Sequence, residues 1–285
     1  MEKVPFSFLG LKHSYDEANY VVVPFPFCRT FSWTGGSDEG PLSIIEASRY
    51  LEPYDLELGF CPAEAGIFTM DEIVAPVDLV KAGEVLRATL NKIHLDGKFP
   101  ILLGGDHILS LFSFTAAFEE RGCDVYLSLD AHADLVDSYQ SSKYSHACTT
   151  ARILETFPSV RALIVGVRSM SEEEVLMAEK EGELHIIPVT KLEELRDFLV
   201  DIEGRRAHLS IDADFLDPSI VPCVPTPEPG GVGYREAVSL LREITNHLEI
   251  ISMDVVEFRP CPFTKSDSLT MAALIYKVIG LTQKR

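Results

Sequence analysis

No C-x-x-C pair occurs among the six cysteines of this 285-residue chain: Cys28, Cys61, Cys123, Cys148, Cys223 and Cys261 are scattered, several in or beside apolar runs. They read as reduced core or near-core residues of a cytoplasmic protein. No apolar stretch approaches the roughly 18 residues of a membrane span, and the opening "MEKVPFSFLGLKHSYDEA" lacks the basic segment and apolar run of an export signal. Neither insertion nor export is expected. Basic residues are the scarcer sign, 25 Lys and Arg against 44 Asp and Glu, for a formal charge of -19. That field disfavours a nucleic-acid backbone or an anionic membrane surface as partner and suits a small cation, although solubility alone explains it equally well. Long linkers, low-complexity tracts and breaks in composition are also missing, so residues 1–285 are read as one domain.

What is present is material for a core, with 46% hydrophobic residues and a mean hydropathy of +0.12. "ANYVVVPFPF" has the pattern of a strand, and "GPLSIIEASRYLE" that of a helix with Pro41 near its first turn. The segment Asp78 to Asp96 is an amphipathic helix ended near Gly97. Strand and helix patterns then alternate from "FPILLGG" to a C-terminal helix. Such alternation predicts an α/β fold of three layers, α/β/α, with a mostly parallel central sheet. About eight βα units would also fit a closed barrel. Either architecture gathers function at the carboxyl ends of the strands.

Four strand patterns end in polar residues of one chemical kind. "ILLGGDH" ends in Asp106 and His107, "YLSLDAHAD" in Asp130, His132 and Asp134, "HLSIDADFLDP" in Asp212, Asp214 and Asp217, and "ISMDVVEFRP" in Asp254 and Glu257. If the strand continues through them, Asp130, His132 and Asp134 share a face, as do Asp212 and Asp214. Asp217 before Pro218 is assigned to a turn, and Asp106 to a turn or to support of its neighbours. Four or five carboxylates at one locus repel and are desolvated, at several kcal/mol, unless cations neutralise them. His107, Asp130, His132, Asp134, Asp212 and Asp214 are therefore the candidate metal ligands. Six ligands suit two ions sharing carboxylates better than one ion with open positions, and oxygen-rich, thiolate-free donors favour manganese over zinc. The cofactor expected is two Mn2+, activating a water as nucleophile.

In order and spacing, "GGDH", "DAHAD" and "SIDADFLDP" resemble the ureohydrolases, the family of arginase, agmatinase, guanidinobutyrase and formiminoglutamase, from about Tyr20 to the C-terminus. "YSHAC" at Tyr144 to Cys148 and "PTPEPGG" at Pro225 to Gly231 look like the agmatinase branch. The resemblance implies an arginase-like fold, with His107, Asp130, Asp134 and Asp212 on one manganese and Asp130, His132, Asp212 and Asp214 on the other, Asp130 and Asp212 bridging. It implies that His146 sits beside the substrate and assists proton transfer, that Glu257 contacts the guanidinium, and that Asp134 carries the proton. It also implies a homo-oligomer, a trimer or hexamer. Two features depart from the family pattern: residue 108 is Ile where Ser commonly follows "GGDH", and the loop "FCRTFSWTGGSDEGP", with the residues after it, keeps only "GP" and "EAS" of the usual agmatinase pattern.

The function implied is hydrolysis of a small cationic guanidino substrate, agmatine and water giving putrescine and urea, a step of polyamine biosynthesis. Aminopropylagmatine, guanidinobutyrate and arginine are the alternatives within the same chemistry. A zinc deacetylase of the same broad fold uses one metal and fewer ligands, and a non-enzymatic metal-binding relative has no need of His146 and Glu257.

Overall fold

Alternate strand residues part into two cores, one on each face of a single sheet, in a computed structural model that describes residues 6–283. The strands are β1 (Tyr20–Pro24), β2 (Ile67–Thr69), β3 (Phe99–Leu103), β4 (Val125–Leu129), β5 (Arg161–Val167), β6 (Leu184–Pro188), β7 (Arg206–Asp212) and β8 (Glu249–Val256). All pair in parallel, in the order β2-β1-β3-β8-β7-β4-β5-β6. The sheet is open, with β2 and β6 at its edges, so the barrel alternative is set aside. β2 was not foreseen: three residues are too few to show a strand period.

Along β1, Tyr20 and Val22 enter one core and Val21 and Val23 the other. The first core is completed by α1 (Gly40–Ser48), α6 (Leu195–Asp201), α7 (Tyr234–His247) and α8 (Ser266–Thr282). The second is completed by α2 (Leu79–Leu95), α3 (Leu109–Arg121) and α4 (Thr149–Thr156), with Ala178 of α5 (Glu172–Ala178) packed against it. A sheet covered on both faces gives the three layers and accounts for the near-continuous apolar strands. Helix starts follow from local chemistry. Asp78 caps α2 by accepting from the Lys81 amide at 2.9 Å, and Ser171 with Glu174 forms a capping box on α5. No helix among the described residues is long and apolar enough to cross a membrane.

The expectation of six reduced cysteines is corrected. Cys223 and Cys261 form a disulfide with Cα atoms 5.1 Å apart. They lie in the loops that follow β7 and β8, which are neighbours in the sheet, so a separation of 38 residues in sequence hides their proximity. Cys28, Cys61, Cys123 and Cys148 are free, the last two buried.

Candidate metal centre

The strands whose ends carry the candidate ligands are contiguous at the middle of the sheet, β3-β8-β7-β4. Parallel pairing places their carboxyl ends on one edge, and there the six residues meet. The reason differs from strand alternation. β4 stops at Leu129, so Asp130, His132 and Asp134 lie in the loop beyond it, and Asp214 lies in a 3-10 turn, Ala213–Phe215, beyond β7. Each run instead folds back on its first carboxylate: Asp130 Oδ1 accepts from the His132 amide at 2.7 Å, and Asp212 Oδ1 from the Asp214 amide at 2.9 Å. Aspartate commonly makes such a turn with the amide two residues on. The likeness of "LSLDAHAD" to "LSIDADFLD" is thus a repeated turn. The two turns are tied where Asp214 Oδ1 accepts from the Ala131 amide at 3.0 Å.

Backbone strain collects at the same place. Asp134 and Glu257 have φ of 53° and 52°, a left-handed conformation that side-chain-bearing residues seldom adopt. Glu257 is held in it by two bonds of 2.7 Å, its amide donating to the Gly105 carbonyl and its Oε1 accepting from the His107 amide. Gly105 admits no side chain, since a Cβ would collide with the Phe27 carbonyl.

Three carboxylate oxygens converge on one nitrogen. Nδ1 of His107 lies 3.0 Å from Asp134 Oδ2, 3.1 Å from Asp212 Oδ2 and 3.3 Å from Asp130 Oδ2. One ring proton cannot satisfy three acceptors, whereas a shared cation can. His132 Nδ1 lies 3.0 Å from Asp214 Oδ2 and 3.7 Å from Asp130 Oδ1. Two groups could hold an ion, His107 with Asp130 and Asp212, and Asp130 with His132 and Asp214. Asp130 is common to both. Asp212 enters only the first of these groups.

Electrostatics agrees with this donor set. Burial, then the neighbouring Asp130, pushes Asp134 up to about 7, and burial, then Asp214 and Asp130, pushes Asp212 well above the usual carboxylate range. Glu257 is raised likewise by burial and by Asp106 and Asp212. For His107 and His132 burial opposes the charged ring, yet Tyr126, Asp134 and Asp212 raise His107 well above its ordinary value, and Asp214 and Asp130 raise His132 to about 12. Cations would relieve this excess of buried acid.

His146 lines the same cavity of about 70 Å³, together with Ser32, Thr226 and Glu257. Its Nε2 lies 2.8 Å from Ser32 Oγ, and its amide donates to Thr30 Oγ1 at 2.9 Å. Burial, followed by the positive His107 and His132, lowers it to about 4. Thr30 in turn donates to Asp106 through its amide and its hydroxyl, each at 2.7 Å. The loop that departs from the family pattern therefore covers the site, with Asp106 as its anchor. Asp217 is the turn residue expected, accepting from the amides of Ser219, Gly230 and Gly231.

Asp254 does not reach the edge. It is fully buried within β8, 2.6 Å from His208 Nε2, while its other oxygen accepts from Ser210 Oγ at 2.6 Å. Ser210 Oγ and Tyr126 OH each lie 3.3 Å from His107 Nε2 and leave Nδ1 to face the carboxylates. Ser32, Thr30 and Ser210 were not singled out from sequence, because common polar residues carry no spacing signal.

Residues 18–280 match the arginase family. The chain is 37% identical over 272 residues to N(1)-aminopropylagmatine ureohydrolase of Thermus thermophilus, covering 94% of this chain and 91% of that protein. It is 33% identical over 273 residues to agmatinase of Pyrococcus horikoshii, covering 94% and 93%. The agmatine ureohydrolase of Thermoplasma volcanium superposes with a TM-score of 0.86 at 29% identity, over 99% of this chain and 94% of that one.

Proposed function

The chain belongs to the arginase family, and on that premise we propose that it is a binuclear manganese amidinohydrolase releasing urea from agmatine or its aminopropyl derivative. The observation that carries the reading is the convergence of three carboxylates on Nδ1 of His107, beside a second group built on His132. In this reading His107, Asp130, Asp134 and Asp212 hold one ion, and Asp130, His132, Asp212 and Asp214 the other. Two bound divalent ions would supply Lewis acidity and an activated water.

The residues around them divide the remaining work. Glu257, fixed by the His107 amide and facing the cavity, receives the guanidinium and orients its carbon. Asp134 takes the proton released by the attacking water and returns it to the departing amine. His146 is neutral near pH 7 and hydrogen-bonded to Ser32, so it can pass that proton without adding charge to the site. Water adds to the guanidinium carbon, the bond to the substituted nitrogen breaks, and urea and an amine leave. Similarity to proteins named agmatinase and aminopropylagmatine ureohydrolase supports an amine-bearing tail. Urea release from manganese-loaded protein, measured across agmatine, aminopropylagmatine, guanidinobutyrate and arginine, is the test. Turnover should rank the first two highest, and no urea from any of them would reject the amidinohydrolase reading.

A further inference from the structure

One carboxylate beside His132, a residue that lines the cavity, belongs to neither metal group. Glu228, within "PTPEPGG", places Oε1 3.7 Å from Nε2 of His132, the outer nitrogen of a ring whose Nδ1 faces Asp214. Its side chain is 31% exposed and that of His132 is 24% exposed, whereas the aspartates behind them are buried. Its backbone is nevertheless fixed. Arg168 donates to the Glu228 carbonyl at 2.9 Å and to the Asp214 carbonyl at 2.6 Å, joining this loop to the turn that carries a ligand. Asp217 accepts from the next two amides, those of Gly230 and Gly231. A Cβ on Gly231 would lie 2.7 Å from both the Arg168 guanidinium and the Asp217 amide, so the loop closes tightly. Two residues before Glu228, Thr226 lines the cavity itself.

Among the described residues, the one side chain found in ion-pair range of the Glu228 carboxylate is the His132 imidazole, at a distance too long for a hydrogen bond. Arg168 is spent on carbonyl oxygens. A partly exposed carboxylate on a pinned loop, next to a residue that lines the cavity, has the charge to receive a second cation. We propose that Glu228 determines tail specificity: it takes an ammonium borne on the carbon chain beyond the guanidinium, and so selects amine-tailed guanidines over carboxylate-tailed ones. This rests on the amidinohydrolase reading for the guanidinium end alone. An ammonium gains a charge-assisted bond there, whereas a tail carboxylate meets like charge.

Manganese-loaded wild type, Glu228→Gln and Glu228→Lys are compared in urea release from agmatine and 4-guanidinobutyrate, in metal content, and in calorimetric binding of 1,4-diaminobutane. Glu228→Gln should raise KM for agmatine roughly tenfold, with the loss falling on KM more than on kcat, and should weaken diaminobutane binding to a similar extent. Glu228→Lys should turn the preference toward guanidinobutyrate, with two manganese ions retained in both variants. Unchanged KM and unchanged diaminobutane binding would overturn the proposal. So would loss of manganese, which would make Glu228 a support of His132. Should the wild type hydrolyse no guanidine, the amidinohydrolase reading fails by itself, and diaminobutane binding, lost or kept on substitution, still decides the role of Glu228.

Discussion

Inside the sheet, His208 of β7 and Asp254 of β8 meet at 2.6 Å; where the same two strands run out, Asp212, Asp214 and Glu257 meet His107 and His132. Both assemblies are buried and both combine imidazole with carboxylate. The inner one is closed: Asp254 also accepts from Ser110 and Ser210, and Nδ1 of His208 bonds Ser252 at 2.7 Å, so every polar atom of the pair has a partner. The outer one cannot close in that way. Two histidines face Asp130, Asp134, Asp212, Asp214 and Glu257, with three carboxylates competing for one ring nitrogen and a cavity alongside. A buried pair in balance holds structure, whereas buried acid in excess with room beside it has the donor set that a cation would need.

Removing the carboxylate common to both ion groups attacks the outer assembly most directly. Asp130→Asn should lose metal from both positions, and urea release should fall by about three orders of magnitude, the scale of losing transition-state electrostatics. Metal analysis checks it, and two ions retained at full affinity would contradict the shared role. The inner assembly should answer in stability. Asp254→Ala leaves His208 Nε2 and the hydroxyls of Ser110 and Ser210 without their shared buried partner and should destabilise the protein by about 3 kcal/mol in denaturant unfolding. Through Ser210 it should also weaken the metal held by His107 by roughly ten- to a hundredfold. If unfolding is unaffected, the two assemblies do not differ as described. His146→Ala should keep both ions and full stability while lowering kcat by about a hundredfold, the usual scale of a proton-transfer group. Metal loss in that variant would place His146 among the ligands.

The outer assembly was legible in sequence and the inner one was not, for physical reasons. Parallel sheets bring distant strand ends together whatever the local backbone does, so Asp-x-His-x-Asp and Asp-x-Asp after apolar runs suffice to locate residues that converge. How they converge escaped that reading, since the last strand pairing at Leu129 and the left-handed Asp134 depend on partners in other strands. Asp254 resembled a strand-end carboxylate because the carboxyl end of β8 lies two residues beyond it, at Val256. His208 resembled nothing in particular. Thr30, which joins Asp106 to His146, sits in the loop that follows the family pattern least, so its position emerges only from packing. The Cys223–Cys261 pair escaped notice for a related reason, because adjacency of β7 and β8 is a property of the topology.

Another buried histidine extends the comparison to a ring with no carboxylate partner. His94, near the end of α2, is buried, and neither ring nitrogen has a hydrogen-bond partner among the described residues. Burial, then the charges of Arg121 and His208, lowers it to about 3 from an ordinary value of 6.5. The folded protein therefore keeps His94 neutral where the unfolded chain protonates it. Between those two values the unfolded state binds more protons, so the contribution of His94 to stability is fully present above pH 6.5 and is lost as the pH falls toward 3. From pH 6.5 to 5 that loss amounts to about 2 kcal/mol. His94→Leu removes the titrating ring at similar volume, and the variant should lose less stability than the wild type over this interval when denaturant midpoints are followed against pH. Parallel pH profiles would mean that the ring finds a proton acceptor when charged, and that its burial resembles that of His208 after all.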